Sequence, residues 1–329
     1  MALKEALFYE PLNEGRVRCL LCPHNCVIPD GALGLCRARE NRGGKLFTRI
    51  YGECSAVNMD PIEKKPLFHF YPGSKILSIG TLYCNLSCRF CQNWHLVRGD
   101  IGTEYVPPER IVEAALAYKS IGIAYTYNEP TIWYEFVYDT ARLAKERGLK
   151  NVLVTNGFIE EAPLRELLPF VDAMNIDLKS SNDNYYRRLC GGRLEPVLRT
   201  IKIANSSCLV EVTNLLVTDE NDSDEDIKSV VDLICDIDPL IPLHFSRYFP
   251  QYKMSNPPTP LSRLYRAYQI ARERMPYVYL GNIWEEKYET TYCLSCNEPI
   301  LKRRGYEIVE VNLEGNKCIF CGAENRFIL

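Results

Sequence analysis

The stretch KILSIGTLYCNLSCRFCQNW, residues 75–94, decides how this chain is read. Lys75 to Gly80 is a short apolar run of the kind that forms a buried strand. Cys84, Cys88 and Cys91 follow in the loop behind it, with the aromatic Phe90 just before the last of them. Three thiols packed so closely suit a metal cluster better than a hydrophobic core. Three is also one short of capping a four-iron cluster. An uncapped iron is an open coordination position, and open positions mark catalytic rather than structural metals. The alternatives are three of four zinc ligands, or three buried free cysteines.

Working outward, the chain alternates strand and helix from about residue 75. Strands are expected at 75–80, 123–127, 151–155, 173–178, 209–217 and 243–249, with a short last one at 277–280. Helices are expected at 109–120, 131–147, 160–168, 196–204, 223–236 and 261–275. Pro107-Pro108 marks one helix start and Gly148 one helix stop. Ser223 with Asp226 three residues on reads as a capping box. Six strand–helix units imply an α/β fold with a parallel sheet and external helices. A partial (β/α)6 barrel of the TIM type fits best, and an open doubly wound sheet is the alternative. In either, ligands bind beyond the C-terminal strand ends. Cys84, Asn128-Glu129, Thr155-Asn156, Asp177 to Lys179 and His244 all lie in or just after such strands. Their convergence on one rim is stronger evidence of a site than any one of them.

The flanks differ from this core. Residues 1–74 are loop-rich and carry Cys19, Cys22, Cys26 and Cys36, with His24 among them as a candidate replacement for one thiolate. Residues 286–329 carry two knuckles, Cys293 with Cys296 and Cys318 with Cys321. Four thiolates closing a tetrahedron suit structural zinc or a rubredoxin-like single iron, and zinc is the expectation for this ribbon-like domain. For the N-terminal four, zinc and an auxiliary iron–sulfur cluster both stay open. Of the 15 cysteines, the eleven that fall into these three groups read as metal ligands rather than disulfides, as expected where no apolar leader marks the N-terminus. The remaining four, Cys54, Cys190, Cys208 and Cys235, read as core or incidental residues. With 39 Lys/Arg against 42 Asp/Glu there is no broad basic footprint for nucleic acid. No apolar run is long enough to span a bilayer. The expectation is a soluble, cytoplasmic protein without a membrane partner.

The match of the cysteine loop goes further than its spacing. CPHNCVIPDGALGLCRARENRGGKLF (22–47), DPIEKKPLFHFYPGS (60–74), YTYNEPTIWYEF (125–136), VTNGF (154–158), NIDLK (175–179), LCGGRLEPVL (189–198) and HFSRYFP (244–250) accompany it. Together they resemble the radical S-adenosylmethionine (radical SAM) superfamily. Within it they resemble the AmmeMemoRadiSam system radical SAM enzymes, relatives of the activases of glycyl-radical enzymes such as pyruvate formate-lyase. The resemblance implies a [4Fe-4S] cluster on Cys84, Cys88 and Cys91, with S-adenosylmethionine on the fourth iron. It implies reductive cleavage to methionine and a 5′-deoxyadenosyl radical that takes hydrogen from a substrate. By the same resemblance Phe90 lies near the adenine, and Glu129 meets the ammonium of S-adenosylmethionine. Thr155, Asn156, Asp177 and Lys179 surround it, and His244 approaches its ribose. Two positions depart from the pattern. Tyr127-Asn128 stands where two glycines are usual, and Val154 where activases carry an acidic residue that helps bind a monovalent cation.

The resemblance also implies a low-potential electron donor such as ferredoxin or flavodoxin, and a protein as one candidate substrate. A small metabolite is the competing substrate. The reading from another class is a non-catalytic iron–sulfur or zinc module that binds nucleic acid through its knuckles. Six Lys/Arg against seven Asp/Glu in residues 286–329 count against it, although Lys302-Arg303-Arg304 forms a local basic run.

Overall fold

The computed structural model describes residues 3–98 and 101–329. Its largest element is an eight-stranded sheet. Strand β1 (Ala56–Pro61) runs antiparallel to β2 (Lys75–Gly80). Six further strands continue parallel to β2: β3 (Gly122–Tyr125), β4 (Lys150–Thr155), β5 (Ala173–Asp177), β6 (Leu209–Leu216), β7 (Leu243–Arg247) and β8 (Val278–Gly281). Their burial explains the sequence signal. β2 is buried at every position after Lys75, and β3 along its whole length. Parallel strands covered on both faces read as continuous apolar runs rather than alternating ones.

Strand order in space is strand order in the chain. A doubly wound sheet needs a point where that order reverses, and this sheet has none. Right-handed crossovers that always move the same way place every helix on one face. The sheet therefore curls inside its helices as a partial barrel, with β1 and β8 unpaired across the gap. The helices α1 (Pro108–Ala117), α2 (Tyr134–Glu146), α3 (Glu161–Leu167), α4 (Leu194–Asn205), α5 (Asp224–Cys235) and α6 (Leu261–Arg272) fall where periodicity places them. Ser223 caps α5, its Oγ accepting from Asp226 N–H at 3.1 Å.

The seventh parallel strand, β8, falls where a short last strand is expected. One feature differs from expectation: an antiparallel strand precedes the parallel run. That strand, β1, lies within residues 1–74, so the expected boundary at residue 74 cuts a single sheet: Ala56 to Pro61 pair in register with Gly80 to Lys75. A short strand of mixed polarity beside a buried one carries no period long enough to be read. Most of the rest of the extension forms two three-stranded antiparallel sheets, one holding Val17–Cys19 and Val27–Ile28, while Glu53–Cys54 pairs with Glu104–Tyr105. A buried ion pair ties it to the barrel, with Arg39 Nη1 2.7 Å from Glu135 Oε1 on α2.

From Glu286 the chain forms a ribbon of antiparallel strands, Thr291–Tyr292, Pro299–Arg304 and Glu307–Val311. It closes the barrel end opposite the strand C-termini. Arg303, fully buried, donates to the carbonyl of Phe68 and to Thr291 Oγ1, and its Nε lies 3.7 Å from Glu63. Behind it, His69 donates through Nδ1 to the carbonyl of Arg326 and accepts at Nε2 from Tyr279. No helix among the described residues is long and apolar enough to cross a membrane.

Candidate active site

One cavity opens at the C-terminal ends of the strands. Its wall includes Cys84, Cys88, Phe90 and Cys91 behind β2, and Tyr127, Asn128 and Glu129 behind β3. Thr155 and Asn156 enter from β4, Asp177 and Lys179 from β5, Thr213 and Leu215 from β6, and Ser246 from β7. Six parallel strands thus contribute to one space, as only a curled sheet allows. Of the eleven residues expected here, the structure brings ten together.

The cysteine loop is held by backbone and amide contacts. Leu86 N–H points at Cys84 Sγ at 3.4 Å, and Asn156 Nδ2 lies 3.5 Å from the same sulfur. Asn156 also donates to Asn85 Oδ1 at 2.9 Å, and Asn85 donates to the Phe158 carbonyl at 2.8 Å. This chain of amides fixes the loop to the end of β4. On its other side the loop meets Leu189, Cys190, Gly191 and Gly192. Ser87 and Arg89 N–H groups donate to the Cys190 and Leu189 carbonyls at 2.7 and 2.8 Å. Gly191 has φ 70°, and a Cβ there would sit 2.4 Å from Ser87 Oγ. A Cβ on Gly192 would sit 2.6 Å from Leu86. The positive φ of Gly191 favours glycine there, and a Cβ at either position would displace a side chain of the cysteine loop.

Cys190 is the site residue that the sequence concealed. It reads as an isolated core cysteine and is fully buried, but its thiol acts on Cys88. The Cys190 thiol draws the Cys88 thiol below its ordinary pKa, against burial and with help from the nearby Lys179 ammonium. Burial instead pushes the Cys84 thiol up. The signal that could have found Cys190 is the pair of glycines after it, which mark a tight approach to something.

Tyr127 takes the left-handed conformation, φ 69°, that glycine adopts without cost. Its hydroxyl offsets this by donating to Asp60 at 2.5 Å, and its carbonyl accepts from Asn93 at 2.8 Å. Asn128 turns away from its own strand. Its Oδ1 accepts from Thr81 N–H and its Nδ2 donates to the carbonyls of Leu82 and Tyr83, so it braces the chain leading into the cysteine loop. Glu129 is 2 % exposed. It accepts from Thr131 N–H at 2.9 Å, Thr155 Oγ1 at 2.7 Å and Asn156 N–H at 2.8 Å. Burial nevertheless raises its pKa. A carboxylate has about four acceptor positions, so roughly one remains for a ligand in the cavity.

On β5, Lys179 Nζ pairs with Asp177 Oδ2 at 2.8 Å and lies 6.0 Å from the centre of the Phe90 ring. Burial opposes the ammonium, but the Asp177 carboxylate holds its pKa above the usual value. Val154 lines the cavity where an acidic residue was the comparison. The Asp177 carboxylate thus already has a cation beside it, the lysine.

His244 is a correction. Its Nε2 donates to Glu211 Oε2 at 2.6 Å, and its ring packs on Phe68 and Tyr279. Residues two apart on a strand share a face and are about 7 Å apart. Ser246 is the β7 residue that reaches the cavity, while His244 faces inward one pleat deeper, in the polar layer above the ribbon.

The ribbon's four cysteines form a compact set. All four sulfurs lie within 4.8 Å of one another, with Cys293–Cys321 at 3.6 Å and Cys296–Cys318 at 3.7 Å. Metal–sulfur bonds of about 2.3 Å in a tetrahedron place sulfurs about 3.8 Å apart. The donor set therefore fits one tetrahedral ion. Although burial opposes it, N–H groups of Cys296 and Ser295, with Asn325 and Cys321, bring the Cys293 thiol down to about 6. Cys19, Cys22, Cys26 and Cys36 line a separate small cavity with His24.

Residues 78–234 match the Radical SAM superfamily. The uncharacterized protein MJ0808 of Methanocaldococcus jannaschii is 43% identical over 336 residues, spanning 99% of this chain and all of that protein. The pyruvate formate-lyase 1-activating enzyme of Escherichia coli K12 is 28% identical over 151 residues, 43% of this chain and 61% of the enzyme. Among solved structures, Streptococcus suis SuiB matches with a TM-score of 0.50 at 18% identity, over 63% of this chain and 50% of that one. This last likeness concerns the fold alone.

Proposed function

This chain belongs to the radical SAM superfamily and is related to the pyruvate formate-lyase activating enzymes, and we propose that it is an activase-like radical SAM oxidoreductase acting on a protein. The observation that carries the reading is the single cavity in which three thiols of one loop face polar groups from five further strand ends. The donor set fits a cluster with one uncapped iron: Cys84, Cys88 and Cys91 would hold three irons. With S-adenosylmethionine bound, the cluster would supply the electron for its reductive cleavage and so the hydrogen-abstracting chemistry.

The chain's own residues do the positioning. Glu129 offers its remaining acceptor site to an ammonium, and its three internal hydrogen bonds keep it from moving. Asn156 holds Cys84 and Asn85 together. The Lys179–Asp177 pair sets local charge beside Phe90, and Phe90, 3 % exposed, gives the cavity an apolar wall. Such fixed groups matter because small displacements of reacting atoms cost rate steeply. In this reading the electron comes from a low-potential donor such as ferredoxin or flavodoxin, and the ribbon holds structural zinc.

The test is anaerobic. Protein reconstituted with iron and sulfide is reduced with dithionite and given S-adenosylmethionine. Formation of 5′-deoxyadenosine is expected, and its absence from a fully reconstituted protein overturns the reading; Cys88→Ala is the matched control. Deuterium transfer into 5′-deoxyadenosine from labelled protein candidates then tests the substrate class, with transfer from metabolites alone as the contrary result. Metal analysis of the purified protein, with about one zinc per chain expected, tests the ribbon.

A further inference from the structure

Cys19, Cys22, Cys26 and Cys36 are brought together by two turns. The strand Val17–Cys19 pairs with Val27–Ile28, and Cys19 N–H donates to the Cys26 carbonyl at 3.0 Å. Cys22 sits in the connecting turn, where its carbonyl accepts from Asn25 N–H. Cys36 comes from the next turn, closed by Arg37 N–H on the Gly34 carbonyl. All four line one cavity, together with His24 and Arg39.

Two observations say what the cavity takes. The first is spacing. The ribbon shows the sulfur arrangement of a single-ion site in this same protein. Among the described residues, the four N-terminal sulfurs make no set of three within 4.8 Å of one another, as the ribbon's four do. They surround a space rather than a point. A multi-iron cluster, which interposes several metal atoms between its thiolates, fits that spread; one tetrahedral ion does not. The second is Arg39. It is 2 % exposed, and Nη1 is bound to Glu135, yet Nε and Nη2 have no partner within the protein. A buried guanidinium with two unpartnered nitrogens on a cavity wall calls for an acceptor inside that cavity. Thiolates and inorganic sulfides are such acceptors.

We propose that Cys19, Cys22, Cys26 and Cys36 hold a second iron–sulfur cluster, hydrogen-bonded by Arg39. His24 joins it to the first centre. Its Nε2 donates to the Asn85 carbonyl at 2.7 Å, next to Cys84, and Glu160 N–H donates to the Leu21 carbonyl from the other side. The second cluster therefore stands one hydrogen bond from the cysteine loop of the barrel. The proposal assumes that the Cys84 loop is the S-adenosylmethionine-cleaving centre only in calling it second, so the two readings are tested apart.

The experiment removes the barrel centre and asks what is left. The full chain carrying Cys84→Ala, Cys88→Ala and Cys91→Ala is reconstituted anaerobically with ferrous iron and sulfide. Iron, acid-labile sulfide and zinc are then counted, and the reduced protein is examined by electron paramagnetic resonance. The triple variant is expected to keep labile sulfide and a reducible cluster signal. Adding Cys22→Ala and Cys36→Ala should remove both while leaving the ribbon's metal. A folded triple variant with iron but no labile sulfide, or with a second zinc in its place, overturns the proposal. If the triple variant does not fold, Cys22→Ala with Cys36→Ala in the otherwise native chain reads the same site. About half the labile sulfide should be lost, and an unchanged content overturns the proposal. Cleavage of S-adenosylmethionine by the native chain reports separately on the barrel centre.

Discussion

Replacing Cys190 with alanine tests whether the thiol beside Cys88 serves the cluster or merely fills space. Hydrogen bonds to charged acceptors contribute about 1.5–3 kcal/mol, and a thiol is a weak donor, so a bond from Cys190 to a Cys88 thiolate is worth about 1 kcal/mol. Such a bond favours the more electron-rich, reduced state of a cluster ligated by Cys88. For a one-electron couple a tenfold change in equilibrium is 59 mV and about 1.4 kcal/mol, so 1 kcal/mol corresponds to about 40 mV. Cys190→Ala should lower the midpoint potential by up to that amount. Cys190→Ser, which keeps a donor and strengthens it, should restore or raise it. The side chain is fully buried, so the alanine variant also loses about 1 kcal/mol of stability to the small void. The assay is a redox titration followed by electron paramagnetic resonance, on the signal that shifts when S-adenosylmethionine is added. An alanine variant within about 10 mV of the native protein, with the serine variant no different, refutes the argument.

Three other expectations follow from neighbouring geometry. Gly191→Ala places a Cβ 2.4 Å from Ser87 Oγ at φ 70°, so iron content should fall and cleavage should drop about tenfold to a hundredfold. Adding Ser87→Ala removes the clashing atom and should restore most of both; no recovery would mean the glycine acts elsewhere. Arg303→Met strands the buried Glu63 carboxylate without its cation, at a cost of about 3–5 kcal/mol in denaturant unfolding. Glu63→Gln in the same chain should recover much of that loss, and strictly additive losses would contradict the pairing. His69, neutral and buried, has its pKa depressed to about 4 by desolvation. A depressed folded pKa gives stability that is present above the unfolded value near 6.5 and lost as pH falls toward 4. The stability difference between the native protein and His69→Gln should therefore shrink by about 3 kcal/mol from pH 7 to pH 4. A difference independent of pH would show that His69 is not held neutral.

Much of the site was legible because its chemistry is written locally. Cys84, Cys88 and Cys91 lie within one loop, and Glu129, Asn156 and Asp177 each mark the end of an apolar run that betrays its own strand. The ribbon's cysteines are legible for the same reason, two knuckles with nothing else to explain them. What escaped the reading depends on partners far along the chain. His244 sits near a strand end, as a ligand-binding residue would, but depth along the barrel decides its neighbours, and Glu211 and Tyr279 claim it. Cys190 looks incidental until two glycines let its backbone approach the cysteine loop from a hundred residues away. β1 carries no period of its own and exists as a strand because β2 offers it an edge.

The sequence by itself determined the alternation of strand and helix, the cysteine groups and the rim on which the polar residues gather. These rest on periodicity and spacing, which are properties of neighbours in the chain. Only the tertiary structure decided that the sheet curls instead of reversing, since that depends on the order in which strands pair. It also separated the cysteine groups by the distances between their sulfurs. The ribbon's four crowd to tetrahedral spacing, while the N-terminal four stand farther apart on the wall of a cavity that a buried arginine also lines. Local spacing brings thiols to a site, but the packing of whole elements around them sets how much metal the site can hold.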